Sequence, residues 1–216
     1  MKSLGMIEVY GFTTAVCVAD VVAKTADVKI VALDRNRPLS ADAPAPLIMI
    51  VKIEGDTSSV QSAVESGVEY AKSTGMYVVS HIISRPDEMT ENMAYLLDIN
   101  KDKFNKKLPK NLKNYDYPEK GCGCSVGLLE VQGLVASIEG LDSMLKTANV
   151  RLVHTEKRLG GRLVTLVVKG SVSEVSASVA NGEKAASVLG KVYGKAVIAN
   201  PHREITKFFD MDIDEE

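Results

Sequence analysis

A short phrase occurs twice in this 216-residue chain, and that repetition constrains the fold more than any single residue does. Residues 4–11 read LGMIEVYG and residues 126–133 read VGLLEVQG. At constant spacing the match runs on through Asp20 and Asp142, Lys24 and Lys146, Ala26 and Ala148, and Val28 and Val150. It then resumes at a shorter spacing, pairing Gly55 with Gly170, Gly67 with Gly182, Gly75 with Gly190 and Pro86 with Pro201. The residues that make the difference fall between Arg37 and Leu47, a stretch rich in Pro and Ala. The pattern is a tandem duplication: domains at 1–99 and 125–209, a Lys-rich linker at 100–124, and an acidic tail at 210–216. Domains this small bury a limited core, so each should lean on the other or on a neighbouring chain.

Periodicity assigns the elements. Met6–Tyr10 reads as a strand, and Ala15–Ala26 as a helix with almost no polar face, capped by Thr13 or Thr14. A helix that apolar must be covered on most sides. Val28–Leu33 and Leu47–Ile53 are strands joined by the enlarged loop. Thr57 or Ser58 caps a second helix, which Gly75 closes, and Tyr77–Ile83 is the fourth strand. A third helix is expected after Pro86, and the second copy repeats each element. The order β-α-β-β-α-β per copy predicts an α+β chain: two ferredoxin-like units, each a four-stranded antiparallel sheet with helices.

Chemistry is sparse. A net charge of −2 gives no general drive toward nucleic acid or acidic membranes, and 5% aromatic residues offer little for base stacking. No apolar run is long enough for a spanning helix, which predicts a soluble, cytoplasmic protein. His81, His154 and His202 are scattered, and no phosphate-binding glycine loop follows a strand into a helix. Glu8 and Glu130 occupy the same place in the two copies, which points to a repeated structural role and not to acid–base catalysis. Cys122 and Cys124 have a spacing that could hold part of a zinc or iron–sulfur site, but two thiolates do not complete one. They are expected as free thiols, and Cys17 as a small buried hydrophobe. No metal, cofactor or catalytic residue is expected, and the chain reads as a non-enzyme.

Residues 127–150 open G-x-x-E-x-x-G and end D-x-M-x-K-x-A, Gly5–Val28 repeats the pattern, and both copies close on a strand followed by Pro86 or Pro201. This resembles the shell domain of bacterial microcompartments. The resemblance implies a structural protein of the shell around cytoplasmic enzymes. Single-domain members form hexagonal tiles, and tandem members form trimers whose six domains imitate the hexamer. It further implies partners among other shell proteins and enclosed enzymes. Tile-edge roles would fall to Lys24, Lys146, Arg85 and Asn200, the last replacing the family arginine. The loops joining the second and third strands would line a pore, through Arg37 and Leu39 in copy one and Arg158, Leu159, Gly160, Gly161 and Arg162 in copy two. Arginines there would favour small anionic metabolites. The rival reading is a tandem ACT-like sensor that binds a small molecule and shares the element order.

Overall fold

The computed structural model describes residues 2–38, 40, 42–86, 90, 124–156, 162–206 and 208–209. The first copy comprises β1 (Ser3–Tyr10), α1 (Phe12–Thr25), β2 (Lys29–Asn36), β3 (Ile48–Gly55), α2 (Thr57–Ser73) and β4 (Tyr77–Ile83). The second comprises β5 (Ser125–Gln132), α3 (Leu134–Thr147), β6 (Arg151–Glu156), β7 (Leu163–Gly170), α4 (Val172–Ser187), β8 (Val192–Ile198) and the short α5 (Arg203–Thr206). Most of the linker, the helix expected after Pro86 and the acidic tail lie outside the described residues.

Each copy forms one four-stranded sheet, in the orders β2-β3-β1-β4 and β6-β7-β5-β8. All of the pairings are antiparallel, so the repeated phrase becomes a central strand in each sheet. Glu8 sits opposite Ile50 on one side and Val79 on the other, and Glu130 sits opposite Thr165 and Gly194. The two copies are thus in the same register.

Side chains alternate across a strand, and in β5 both sets are buried. Leu129 and Val131 join the core beneath α3 and α4. Val126 and Leu128 face the other way, into a larger core shared with α1, Ile7, Val9 and Ile53 of the first copy. The second sheet is therefore covered on both faces, once by its own helices and once by α1 of the first domain. That second cover explains the apolar character of α1, from Phe12 to Ala23: the helix lies between two sheets. Ile205 and Phe209, which follow β8, close the same core.

Helix starts differ from the sequence reading by one to three residues, for a local reason. Asp56, not Thr57 or Ser58, caps α2: its extended backbone leaves the carboxylate to accept the Ser59 N–H at 3.0 Å. These donors hold the Asp56 carboxyl at about 2, below its usual 3.8. Ser171 and Glu174 form a reciprocal capping box on α4. For α1 neither Thr13 nor Thr14 is the cap; the helix begins at Phe12 after Gly11, with no cap from a neighbouring side chain.

Gly67 and Gly182 are kept in both copies because the paired helices cross there. A Cβ at Gly67 would lie 2.6 Å from Ile7 Cδ1 and 2.7 Å from Val22 Cγ1, both fully buried, and one at Gly182 would collide with Met144. Gly67→Ala should therefore lower unfolding free energy by about 1–3 kcal/mol through overpacking. Urea unfolding followed by far-UV circular dichroism checks this, and a variant as stable as the parent would show the crossing to be loose.

Candidate functional site

The joint between the two copies is where this chain concentrates its buried polar chemistry. Gly11, at φ +83°, turns the chain from β1 into α1 and leaves the first helical N–H groups pointing toward the second sheet. Those donors would be orphaned in an apolar interior without a partner. Glu130, 1% exposed, supplies one: Oε1 accepts the Phe12 N–H at 3.2 Å and Oε2 accepts the Thr13 N–H at 3.0 Å. A carboxylate at the positive end of a helix is favourable in both hydrogen bonding and dipole terms. Burial pushes the Glu130 carboxyl above its usual 4.5, and the two backbone donors pull it part of the way back. Gly194 matters here through closeness, since a Cβ on it would stand 3.0 Å from Thr13 Cβ.

The far end of α1 is clamped by different groups. Asp20 is 6% exposed; its Oδ1 accepts the His202 N–H at 2.8 Å and its Oδ2 pairs with Lys24 at 2.6 Å. Lys24 Nζ also donates to the Ala199 carbonyl at 3.4 Å. Glu204, in α5, accepts the Ile30 N–H at 2.7 Å. Burial lowers the His202 imidazole below its usual 6.5, more than the nearby carboxylates raise it. Between the two polar ends the joint is apolar.

The repeat supplies the two halves of a second joint of the same kind, and among the described residues nothing brings them together. In α3 the residues Leu134, Val135, Ile138 and Leu145 are 62%, 71%, 59% and 44% exposed. Their counterparts in α1 are Phe12, Thr13, Val16 and Ala23, all buried against the second sheet. On the outer face of the first sheet Val79 is 49% exposed beside a shallow concavity lined by Leu4, Met6, Glu8, Ile50, Ile83 and Thr90. It also holds the Lys52–Asp34 ion pair at 3.4 Å.

The family model described as the BMC domain matches residues 3–86 and again 125–201. The chain belongs to the BMC domain family. One relative is the carboxysome assembly protein CcmO of Synechococcus elongatus, 30% identical over 92% of this chain and 65% of its own length. Another is the microcompartment shell protein PduA of Citrobacter freundii, 42% identical over 41% of this chain and 95% of its own length. The crystal structure of a microcompartment protein from Desulfitobacterium hafniense DCB covers 96% of this chain and 99% of its own, at 23% identity and a TM-score of 0.37.

With the two BMC domains placed, the residues singled out from sequence fall into groups. Lys24 of the first domain meets Ala199, the neighbour of Asn200, in the second. Asn200 itself is exposed and holds φ +51°. Lys146 and Arg85 are exposed, and Lys146 pairs with Asp142 at 2.6 Å, which raises its pKa. Arg37 and Arg162 are exposed at the ends of the β2–β3 and β6–β7 loops; the Arg162 carbonyl accepts the Gly133 N–H beside the start of α3. Leu39, Arg158, Leu159, Gly160, Gly161 and Cys122 lie outside the described residues. The expectation of free thiols is corrected at Cys124, which is disulfide-bonded, so its sulfur is not a free thiolate ligand. Cys17 is buried, and desolvation pushes its thiol up to about 11. Among the described residues no group of three or more His, Cys, Asp or Glu side chains could hold a metal, and no helix is long and apolar enough to cross a membrane.

Sequence reasoning missed the partners of the joint, although the repeat marked the residues. Glu130 and Asp20 each stand at a duplicated position, yet nothing in the sequence says which N–H groups they reach. Glu130→Ala should destabilise the chain by about 1.5–3 kcal/mol, because two buried donors lose a charged acceptor. Glu130→Gln isolates the charge. A carboxyl whose folded pKa is raised lends stability that is present below its unfolded value and lost as pH climbs from about 4.5 toward the folded value. The difference in unfolding free energy between parent and Glu130→Gln should therefore shift against the parent over that window. A difference independent of pH would mean that Glu130 is not desolvated.

Proposed function

We propose that this chain is a structural shell protein of a bacterial microcompartment, three copies of which close into a ring of six BMC domains around a central opening. The observation that carries the reading is the half-used joint. One helix-on-sheet contact is satisfied inside the chain, while among the described residues α3 and the outer face of the first sheet remain as its unpaired, matching halves. A contact between two different surfaces of one chain is heterologous, and such contacts either close into rings or run on as filaments. Fusing the domains in pairs would turn a six-fold ring of single domains into a three-fold one. The relatives' described roles, in carboxysome assembly and in microcompartment shells, favour a shell component over an enzyme.

Within such a ring, Lys24 with Asn200 and Lys146 with Arg85 would lie at corresponding points of the rim, suited to contact other tiles and other shell proteins. Sedimentation velocity should give a trimer at micromolar concentration, and a monomer would overturn the ring. Lys24→Ala combined with Lys146→Ala should keep the trimer but form no sheets in electron micrographs. Alanine is the better choice at Lys24, because Asp would set a second carboxylate against buried Asp20. Wild-type sheets from the double variant would remove the edge assignment.

The opening would be lined by the β2–β3 and β6–β7 loops, which carry Arg37, Arg158 and Arg162. Clustered guanidinium groups attract anions and exclude cations, so small carboxylates or phosphorylated metabolites would be the traffic between the surrounding cytoplasm and enclosed enzymes. Crystals soaked in sulfate should hold an anion at the three-fold axis that disappears when Arg158 and Arg162 become Gln. An axis lined by acidic groups would count against this.

A further inference from the structure

We infer that Glu8 is the acceptor that caps helix α3 of a second copy of this chain, as Glu130 caps α1 within the chain. The inference rests on the ring reading above and adds the residue that would lock each joint between copies.

Four observations converge. Glu8 and Glu130 are equivalent by sequence repeat and by register, each central on its strand and directed to the sheet face away from its own helices. Glu130 has found its donors, the N–H groups of Phe12 and Thr13, whereas the Glu8 carboxylate has no partner among the described residues. The equivalent donors on α3 belong to Leu134 and Val135, which follow Gly133 at φ +105°, and no side chain caps that helix. Both halves carry exposed apolar side chains around their unpaired polar groups, Leu134, Val135 and Ile138 on the helix and Val79 on the sheet. Burying either half against a surface with no matching partner would strand a carboxylate in one case and two backbone donors in the other. Burying them against each other satisfies both.

A second copy is the occupant because the shape and chemistry of the required partner are already visible, covalently supplied, in the intramolecular joint. The two joints are not identical. Where Gly194 lies close to Thr13, the open halves carry Val79 and Val135, so the joint between copies must sit slightly wider there. It gains two buried isopropyl groups in return. Asp34 and Lys52 are already paired in the concavity, which leaves Glu8 as its unpaired carboxylate.

The test uses half-blocked proteins. Glu8→Arg places a cation against the positive helix terminus and spoils only the sheet half. Val135→Asp sets a carboxylate against Glu8 and spoils only the helix half. Each variant alone should sediment as a monomer, and an equal mixture should form a one-to-one dimer through the single intact joint. The milder Glu8→Ala should weaken trimer formation about ten- to a hundred-fold. It should also speed hydrogen exchange of the Leu134 and Val135 amides, while monomer melting stays at the parent value. If the parent is a trimer and Glu8→Ala changes neither the assembly constant nor those two amides, the cap is overturned and the ring survives. If the parent does not self-associate at all, the ring itself fails and takes the cap with it.

Discussion

Helix α1 is covered on nearly all sides from Phe12 to Ala23, and the rest of the structure follows from how that cover is provided. A helix running Phe12, Ala15, Val16, Val18, Ala19, Val22 has no face to give to water, so a single sheet beneath it is not enough. Its own sheet covers one side through Ile7, Val9 and Ile53, and the second sheet covers the other through Val126, Leu128 and Val167. Small domains gain most from such sharing, because neither alone encloses much apolar surface. Closing the helix in this way also removes its first N–H groups from water. The buried carboxylate of Glu130 is the answer to that problem, at the cost of its own desolvation.

Duplication followed by fusion frees the two copies to differ. The face of the second sheet that receives α1 sets Glu130 in one cross-strand row with buried Thr165 and Glu156, beside apolar Val126, Leu128 and Val167, with Gly194 leaving room for Thr13. The matching face of the first sheet holds Lys52 and Asp34, and has Val79 in place of that glycine. In a chain of identical single domains every joint would have to be the same. Here one joint forms within the chain, and the surfaces that correspond to it by the repeat carry different side chains, Val79 for Gly194 and Val135 for Thr13.

Much of this was legible in the sequence because it is written in local patterns. Period-2 and period-3.6 runs place the eight described strands and the long helices close to where they are found, and Gly75 marks a helix end. Caps were less legible: the backbone decides whether Asp56 or Thr57 stands at the boundary, and several residues in a row could serve. The loops joining the second and third strands were named as pore-lining from family resemblance alone; Arg37 and Arg162 lie at their ends, exposed.

What the sequence determined by itself was the duplication, the α+β order of each copy and the need for α1 to be covered, since repeats and apolar periodicity depend only on neighbours along the chain. Only the tertiary structure decided which surface covers α1 and which donors Glu130, Asp20 and Glu204 accept. Those contacts join residues more than a hundred positions apart, where no local propensity reaches. The same pairing of distant surfaces exposes the difference between two carboxylates that the sequence makes look alike. Glu130 caps a helix of the other domain, and Glu8, at the equivalent position, has no partner among the described residues.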